Sequence, residues 1–238
     1  MPVSRLMRHV LGIHFRGRLT NSTELSSLCD TIKQSSSLVS LNVRGNMIGS
    51  TGIATLTKAI AQSKSLTEVD LFDVGSFAIA EAIKRSKSLT NVILMCSRIG
   101  AVGASTIAEA IAQSKSMTSV NLSTNLINDA GAFAIAEASV QNKSMVSVYL
   151  RGNRISDAGA SAIAEAIKKS ASLTIVNVSD NIIGSIGAFA VVEAIKRSKS
   201  PLETVDLSAN LIGAIDASSF AAEAIKQSKS RRMAKKSL

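Results

Sequence analysis

The stretch SKSMTSVNLSTNLINDAGAFAIAEA, residues 114–138, contains the pattern that decides the fold. It returns as NKSMVSVYLRGNRISDAGASAIAEA at residues 142–166 and as ASLTIVNVSDNIIGSIGAFAVVEA at residues 171–194, so each step is 28 residues. The alternating apolar residues Val120 and Leu122 predict a strand of a few residues. The alanine-rich part that follows predicts an amphipathic helix.

The same spacing extends over nearly the whole chain and defines eight units. Their first apolar strand positions are 28, 28, 23, 28, 28, 28 and 29 residues apart. A single unit cannot bury its own apolar residues, so units with this period stack on one another. The asparagines that recur in the turns are predicted to point inward and to hydrogen-bond to backbone groups of the adjacent unit. The units begin at Val10, Leu38, Leu66, Leu89, Met117, Met145, Leu173 and Leu202, and the asparagines are Asn46, Asn125, Asn153, Asn181 and Asn210.

The order of these residues resembles a known repeat family. Residues 117–127 read M-x-x-V-x-L-x-x-N-x-I, which matches the L-x-x-L-x-L-x-x-N-x-I pattern of the leucine-rich repeat. The 28-residue strand–helix unit is similar to the ribonuclease-inhibitor-like class of that family. The resemblance covers residues 10–230 and implies an α/β solenoid, a horseshoe with a parallel sheet on its concave face and helices on its convex face. Binding proteins, sensors and regulators all use this fold.

The repeat array lies between two basic ends, and two of its units are irregular. We predict a basic N-terminal extension at residues 1–9, the eight-unit array at 10–230 and a basic C-terminal tail at 231–238. The first unit is polar where the others are alanine-rich, as in a divergent cap. The third unit is five residues short and lacks the asparagine. Its shortening is either drift in a duplicated array or a notch that shapes a site, and units three and four should be the least stable part.

Two residue types recur where each helix begins. Asp129 and Asp157 are predicted to cap the start of their own helices. A glycine in each unit is predicted to form the tight turn into the helix. These glycines are Gly103, Gly131, Gly159 and Gly187.

Composition and charge limit the compartment and the partner. Cys29 and Cys96 are the only cysteines, so we expect no disulfide framework and a reducing, cytoplasmic location. The arginine-rich start resembles a mitochondrial presequence, which is the alternative location. The net charge is +10, but the first 18 and the last eight residues contribute +4 each. A nearly neutral body argues against nucleic acid as the partner, and no apolar run is long enough for a membrane span. We expect a monomer.

Side chains that flank the buried strand positions should line the concave groove. This strip changes from basic to acidic, then to apolar, to small polar, and finally to Tyr149 with Arg151. Tyrosine and arginine are common anchors of protein interfaces. The predicted partner-binding residues are Arg16, Arg44, Glu68, Asp70, Phe72, Ile93, Met95, Tyr149, Arg151 and Asp206.

Catalytic patterns are absent from the sequence. His9 and His14 are the only histidines, and no H-E-x-x-H, P-loop or G-x-S-x-G string occurs. We predict that the protein is not an enzyme and has no catalytic residues, no metal and no cofactor. Its predicted function is a protein–protein interaction scaffold that binds a protein partner through the concave face. The alternatives are a regulator of a small GTPase, as some relatives of this class are, and a nucleic-acid or anionic-surface binder that uses its basic termini.

Overall fold

Strands and helices alternate along the whole described part of the chain. The computed structural model describes residues 11–15, 17, 22–46, 48–71, 75–213 and 217–236. The strands are β1 Gly12–His14, β2 Ser40–Asn42, β3 Glu68–Asp70, β4 Asn91–Ile93, β5 Ser119–Asn121, β6 Ser147–Tyr149, β7 Ile175–Asn177 and β8 Thr204–Asp206. The helices are α1 Ser22–Gln34, α2 Gly49–Gln62, α3 Ser76–Arg85, α4 Ala101–Gln113, α5 Asp129–Gln141, α6 Asp157–Lys169, α7 Ser185–Arg197 and α8 Ala217–Lys236.

The strands form one parallel sheet in the order β1 to β8, so each unit pairs only with its neighbours in the chain. The middle residue of each strand is buried, while the flanking residues are less so in most strands. Each helix packs against the next, and its isoleucines and alanines cover the same side of the sheet. The predicted α/β solenoid is therefore confirmed, with eight strands and eight helices in the described residues and an aliphatic core between helices and sheet. Among the described residues, no helix is long and apolar enough to cross a membrane.

The asparagines form the predicted ladder inside the turns. Asn153 Nδ2 donates to the carbonyl oxygens of Leu122 at 3.1 Å and Leu150 at 2.9 Å, and its Oδ1 accepts from Ile127 N–H at 3.0 Å. Each asparagine thus joins its own turn to the preceding unit. The members are Asn46, Asn125, Asn153, Asn181 and Asn210.

A left-handed backbone residue precedes each of these turns. Glycine provides it at Gly45 and Gly152, with φ of 72° and 66°. Other units use residues with a Cβ atom, for which this conformation costs about 1–2 kcal/mol. These residues are Cys96, Thr124, Asp180 and Ala209.

The short third unit keeps its strand pairing. Glu68, Val69 and Asp70 pair with Asn91, Val92 and Ile93 in the same register as elsewhere. The shortening falls on the helix and the segment before it, because α3 has 10 residues whereas α4 to α7 have 13 each. Sheet geometry is therefore preserved across the irregular unit.

The prediction for the capping aspartates was wrong, because each one caps the helix of the following unit. Asp129 Oδ1 accepts from Ser156 N–H at 2.8 Å and Gly159 N–H at 2.9 Å, and the Ser156 hydroxyl donates to Oδ2 at 2.6 Å. Asp157 binds Gly184 and Gly187 in the same way. Asn128 and Ser156 cap α5 and α6 instead.

The role predicted for the repeated glycines was also wrong. Gly159 lies inside the first turn of α6, not in a turn before it. A Cβ atom there would lie 2.6 Å from Asp129 Oδ1 and 2.7 Å from Ile155 Cγ2. The glycine is needed because adjacent helices approach closely at their first turns.

Candidate functional site

Parallel pairing in register arranges the side chains of the sheet's open face in rows. The central row contains His14, Asn42, Asp70, Ile93, Asn121, Tyr149, Asn177 and Asp206. A second row contains Ser40, Glu68, Asn91, Ser119, Ser147, Ile175 and Thr204. Because neighbouring strands are about 4.8 Å apart, residues in one row are in lateral contact.

Eight of the ten predicted partner-binding residues can be placed, and they fall into four groups along the face. Arg16 and Phe72 lie outside the described residues. Glu68 and Asp70 lie on β3, beside Arg44, which follows β2. Ile93 ends β4, and Met95 follows two residues later. Tyr149 ends β6, and Arg151 follows it in the same way. Asp206 lies on β8, two strands beyond Tyr149 in the sheet order.

The acidic group on β3 is held by polar neighbours on both sides. Asn42 Nδ2 donates to Asp70 Oδ2 at 3.0 Å, and Arg44 Nε lies 3.7 Å from Asp70 Oδ1. On the other side, Asn91 Nδ2 donates to Glu68 Oε2 at 2.8 Å. These contacts fix the carboxylates on the face and leave the acidic group partly neutralised.

The side chains on β5 are shorter than Ile93 and Tyr149 on either side, so we expect a depression in the open face over β5, between the two apolar groups. Its floor consists of the small residues Ser119, Asn121 and Ser123. Asn121 Oδ1 accepts from Ser123 N–H at 3.0 Å, which holds the amide against its own backbone. Ile93 and Tyr149 form the walls, which are two strand spacings or about 10 Å apart. We call this feature the β5 depression; its walls are half-buried, so their apolar surface is still accessible.

Beyond this depression the face is mostly polar, with Ile175 as an apolar residue of the second row. Asn177 Nδ2 donates to Asp206 Oδ2 at 3.2 Å, while Asp206 Oδ1 accepts from the hydroxyl of Ser208 at 2.7 Å. Arg151 Nε lies 3.9 Å from Asp180 Oδ2, and both side chains are more than half exposed. Such an exposed pair contributes little stability, so Arg151 can exchange this partner for another.

The helical face carries apolar residues that the sequence reasoning missed. Phe77, Phe133 and Phe189 occupy the same helix position in α3, α5 and α7, and they are 74%, 57% and 68% exposed. Ser105 and Ser161 occupy that position in α4 and α6. Aligning the units by their period would have shown this alternation, because the phenylalanines are 56 residues apart.

Side chains that could bind a metal ion are not clustered in the part of the chain that the structure describes. No group of three His, Cys, Asp or Glu side chains among them is arranged to hold a metal ion. Burial raises the pKa of the Cys29 thiol in α1, which favours its protonated form. The face therefore presents shape, apolar surface and fixed polar groups.

Comparisons with known proteins agree with this geometry. The family model described as "Leucine Rich repeat" matches residues 34–56, 113–136, 141–164 and 169–192. No curated protein sequence matches the chain. Among solved structures, "Leiomodin-1 Actin-Binding Site 2 (ABS2)" is similar with a TM-score of 0.56 and 20% identity, over 66% of this chain and 91% of that one. The tropomodulin C-terminal domain from Caenorhabditis elegans has a TM-score of 0.52 and 15% identity, over 77% and 97%.

These matches and the observed sheet define the class of protein. The array is a leucine-rich-repeat solenoid, in which four units match the family model and the strand–helix form is similar to the ribonuclease-inhibitor-like class. Both structural neighbours are below 25% identity, so they establish the fold and leave the partner open.

Proposed function

We propose that the protein is an interaction module that binds a protein partner through the open face of its sheet, at the β5 depression. The observation that supports it is the arrangement of Ile93 and Tyr149 around a floor of small residues. An apolar side chain of a partner that enters there would contact both walls. Interface anchors of this kind sit in pockets surrounded by polar residues, which here are Asp70 and Arg151.

The same features favour binding over catalysis. The groove-facing polar groups are occupied by hydrogen bonds to one another, as in Asn42 with Asp70 and Asn91 with Glu68. A catalytic centre needs a nucleophile, an acid or a base poised beside one another. We therefore propose a non-enzymatic role in which the solenoid is a rigid support for a recognition surface.

A capture experiment tests this proposal. The wild-type protein and the variant Ile93→Ala/Tyr149→Ala are compared in a nuclease-treated lysate at moderate salt. The matched control is Phe133→Ala/Phe189→Ala, which removes a similar apolar area from the helical face. We expect a partner that survives the nuclease and is lost only with the Ile93/Tyr149 variant. Capture that depends only on the helical phenylalanines would contradict the proposal.

Actin is the first defined partner to test, because one structural neighbour is named as an actin-binding site. The three proteins of the capture experiment are used for co-sedimentation with actin filaments and for gel filtration with actin monomers. Binding that is lost with Ile93→Ala/Tyr149→Ala would name the partner. Absence of binding would exclude actin and leave the β5 depression as the site for another protein.

A further inference from the structure

We propose that the edge of the solenoid where helices lead into strands docks on the surface of an anionic lipid bilayer. All strands are parallel and all connections have the same sense, so every helix-to-strand loop lies on this edge. Five of these loops carry a lysine at the same repeat position, and we call this row the lysine edge. Its members are Lys64, Lys87, Lys115, Lys143 and Lys199.

Hydrogen bonds between successive loops keep the row in register. The Ser88 hydroxyl donates to the carbonyl oxygen of Ser63 at 3.1 Å, and the Ser200 hydroxyl donates to that of Ser170 at 2.8 Å. Asn142 Nδ2 makes the equivalent bond to Ser114 at 3.3 Å. The loops are thus joined laterally, and the lysines between these polar residues project from a fixed backbone.

The row is a strip of exposed positive charge. All five lysines are exposed, and none belongs to an ion pair among the described residues. Strands are about 4.8 Å apart and packed helices about 8–10 Å apart, so lysines of adjacent units lie within about one Debye length of each other. Ala171 interrupts the row between Lys143 and Lys199. Glu203 is the one acid within these described loops.

Several other cations of the array lie beside acidic side chains. The helix-end residues Lys168 and Lys196 lie 3.2 Å and 2.8 Å from Glu165 and Glu193 of the preceding turn. At the opposite edge, exposed arginines alternate with the capping aspartates of the helix starts. The lysine edge is therefore a local excess of positive charge in a body whose total charge is nearly neutral.

Helix α8 extends this positive edge. Its buried Ala224 and Ile225 correspond to Ala194 and Ile195 of α7, so Gln227 corresponds to the last residue of α7. The helix continues for nine residues to Lys236, about 13 Å past the ends of the other helices. This extension runs out from the lysine edge and includes four basic positions, Arg231, Arg232, Lys235 and Lys236.

A bilayer fits this arrangement better than a nucleic acid does. Single strands are bound by aromatic side chains that stack on bases, and duplexes by elements that enter a groove. The described lysine loops, such as Ser63–Thr67 and Ser114–Thr118, contain no aromatic residue and project no helix from the edge. A one-sided row of lysines instead suits a flat anionic surface, where each lysine is expected to raise the partition coefficient about five-fold.

Vesicle flotation tests the proposal with the full-length protein. Vesicles of phosphatidylcholine alone are compared with vesicles that contain about one third phosphatidylserine, and a duplex oligonucleotide is titrated in parallel. We expect binding only to the phosphatidylserine vesicles, and its loss at about 0.5 M salt. Lys87→Gln/Lys115→Gln should lower the partition coefficient about 25-fold. The matched control Arg98→Gln/Arg154→Gln removes the same charge from the opposite edge and should bind as the wild type does.

Several results would overturn the proposal. Equal binding to neutral vesicles, or equal losses in the lysine and arginine variants, would show that the lysine edge has no specific role. Loss only in a chain that ends at Ser230 would assign the binding to the end of α8. Lysine-dependent binding of the oligonucleotide without vesicle binding would assign the edge to nucleic acid. Circular dichroism of each variant establishes that the fold is retained.

Discussion

Replacement of Asn153 by alanine tests the asparagine ladder that joins the units. Asn153 is 8% exposed, and its amide serves two carbonyl oxygens while its oxygen accepts one backbone N–H, all in the interior. Alanine leaves the Ile127 N–H without this acceptor, whereas the carbonyl oxygens of Leu122 and Leu150 each lose one donor and keep another, from Asn125 and Asn181. The unsatisfied buried N–H costs about 1–3 kcal/mol and each of the two lost hydrogen bonds about 0.5–1.5 kcal/mol, so we expect a loss of about 2–6 kcal/mol in the free energy of unfolding. That is a large fraction of the roughly 5–15 kcal/mol of a typical domain.

Urea unfolding measures this loss, with the helical circular dichroism signal at 222 nm as the readout. The matched control is Asn91→Ala on the open face of the sheet, where the amide makes one hydrogen bond to Glu68 and is half-buried. We expect the control to lose about 1 kcal/mol or less. If Asn153→Ala cost no more than the control, the ladder would not be what joins the units.

Three further predictions concern stability. Burial raises the pKa of the Asp129 carboxyl, but the hydrogen bonds that it accepts outweigh this effect and lower the pKa. The contribution of Asp129 to the free energy of unfolding is therefore complete above the unfolded pKa of about 3.9, and it is lost as the pH falls through the folded pKa. The deficit of Asp129→Asn, about 1 kcal/mol at neutral pH, should therefore shrink in urea titrations below about pH 4; a constant deficit would refute this. Gly152→Ala should lower the free energy of unfolding by about 1–2 kcal/mol, because Gly152 has a left-handed backbone conformation. Gly100→Ala should lower it far less in the same assay, because Gly100 has a negative φ and no atom lies within 4 Å of the added Cβ. Among the interior units, hydrogen exchange should be fastest in units three and four, residues 66–116, because these two lack the ladder asparagine; uniform exchange across the interior units would contradict this.

The fold could be predicted because each unit repeats the information that places its neighbours. Val120 and Leu122 mark a strand, and their 28-residue period requires adjacent strands to pair in register. Asn125 could likewise be assigned to the interior, because a polar residue at a buried repeat position needs backbone partners. Period and polarity together thus determined the sheet, the core and the ladder.

Details that depend on how one unit approaches the next could not be predicted. Asp129 was assigned to its own helix because local spacing allows a cap there, but close stacking brings it to Ser156 of the next unit. The space around Gly159 is filled by atoms of the preceding unit, which no local pattern reveals. The lysine edge was hidden for a related reason, since net charge along the chain adds residues that the fold places on opposite edges.

The predicted groove residues had a similar limit. The alternation of a strand indicated that Ile93 and Tyr149 face away from the helices, and the structure places both in the central row of the open face. The β5 depression between them depends on Ser119, Asn121 and Ser123 of unit five, which lies between the units of Ile93 and Tyr149. It can therefore be recognised only when the strands are placed side by side. Their role in binding remains the prediction that experiment has to decide.

Site-specific photocrosslinking tests the central claim most directly. A benzophenone amino acid at position 121, on the floor of the β5 depression, is compared with the same residue at position 105, on the helical face. We predict a discrete protein adduct from position 121 alone, which excess unlabelled wild-type protein removes and excess Ile93→Ala/Tyr149→Ala does not. An adduct that forms only from position 105, or one from position 121 that both competitors remove equally, would contradict binding through the open face of the sheet.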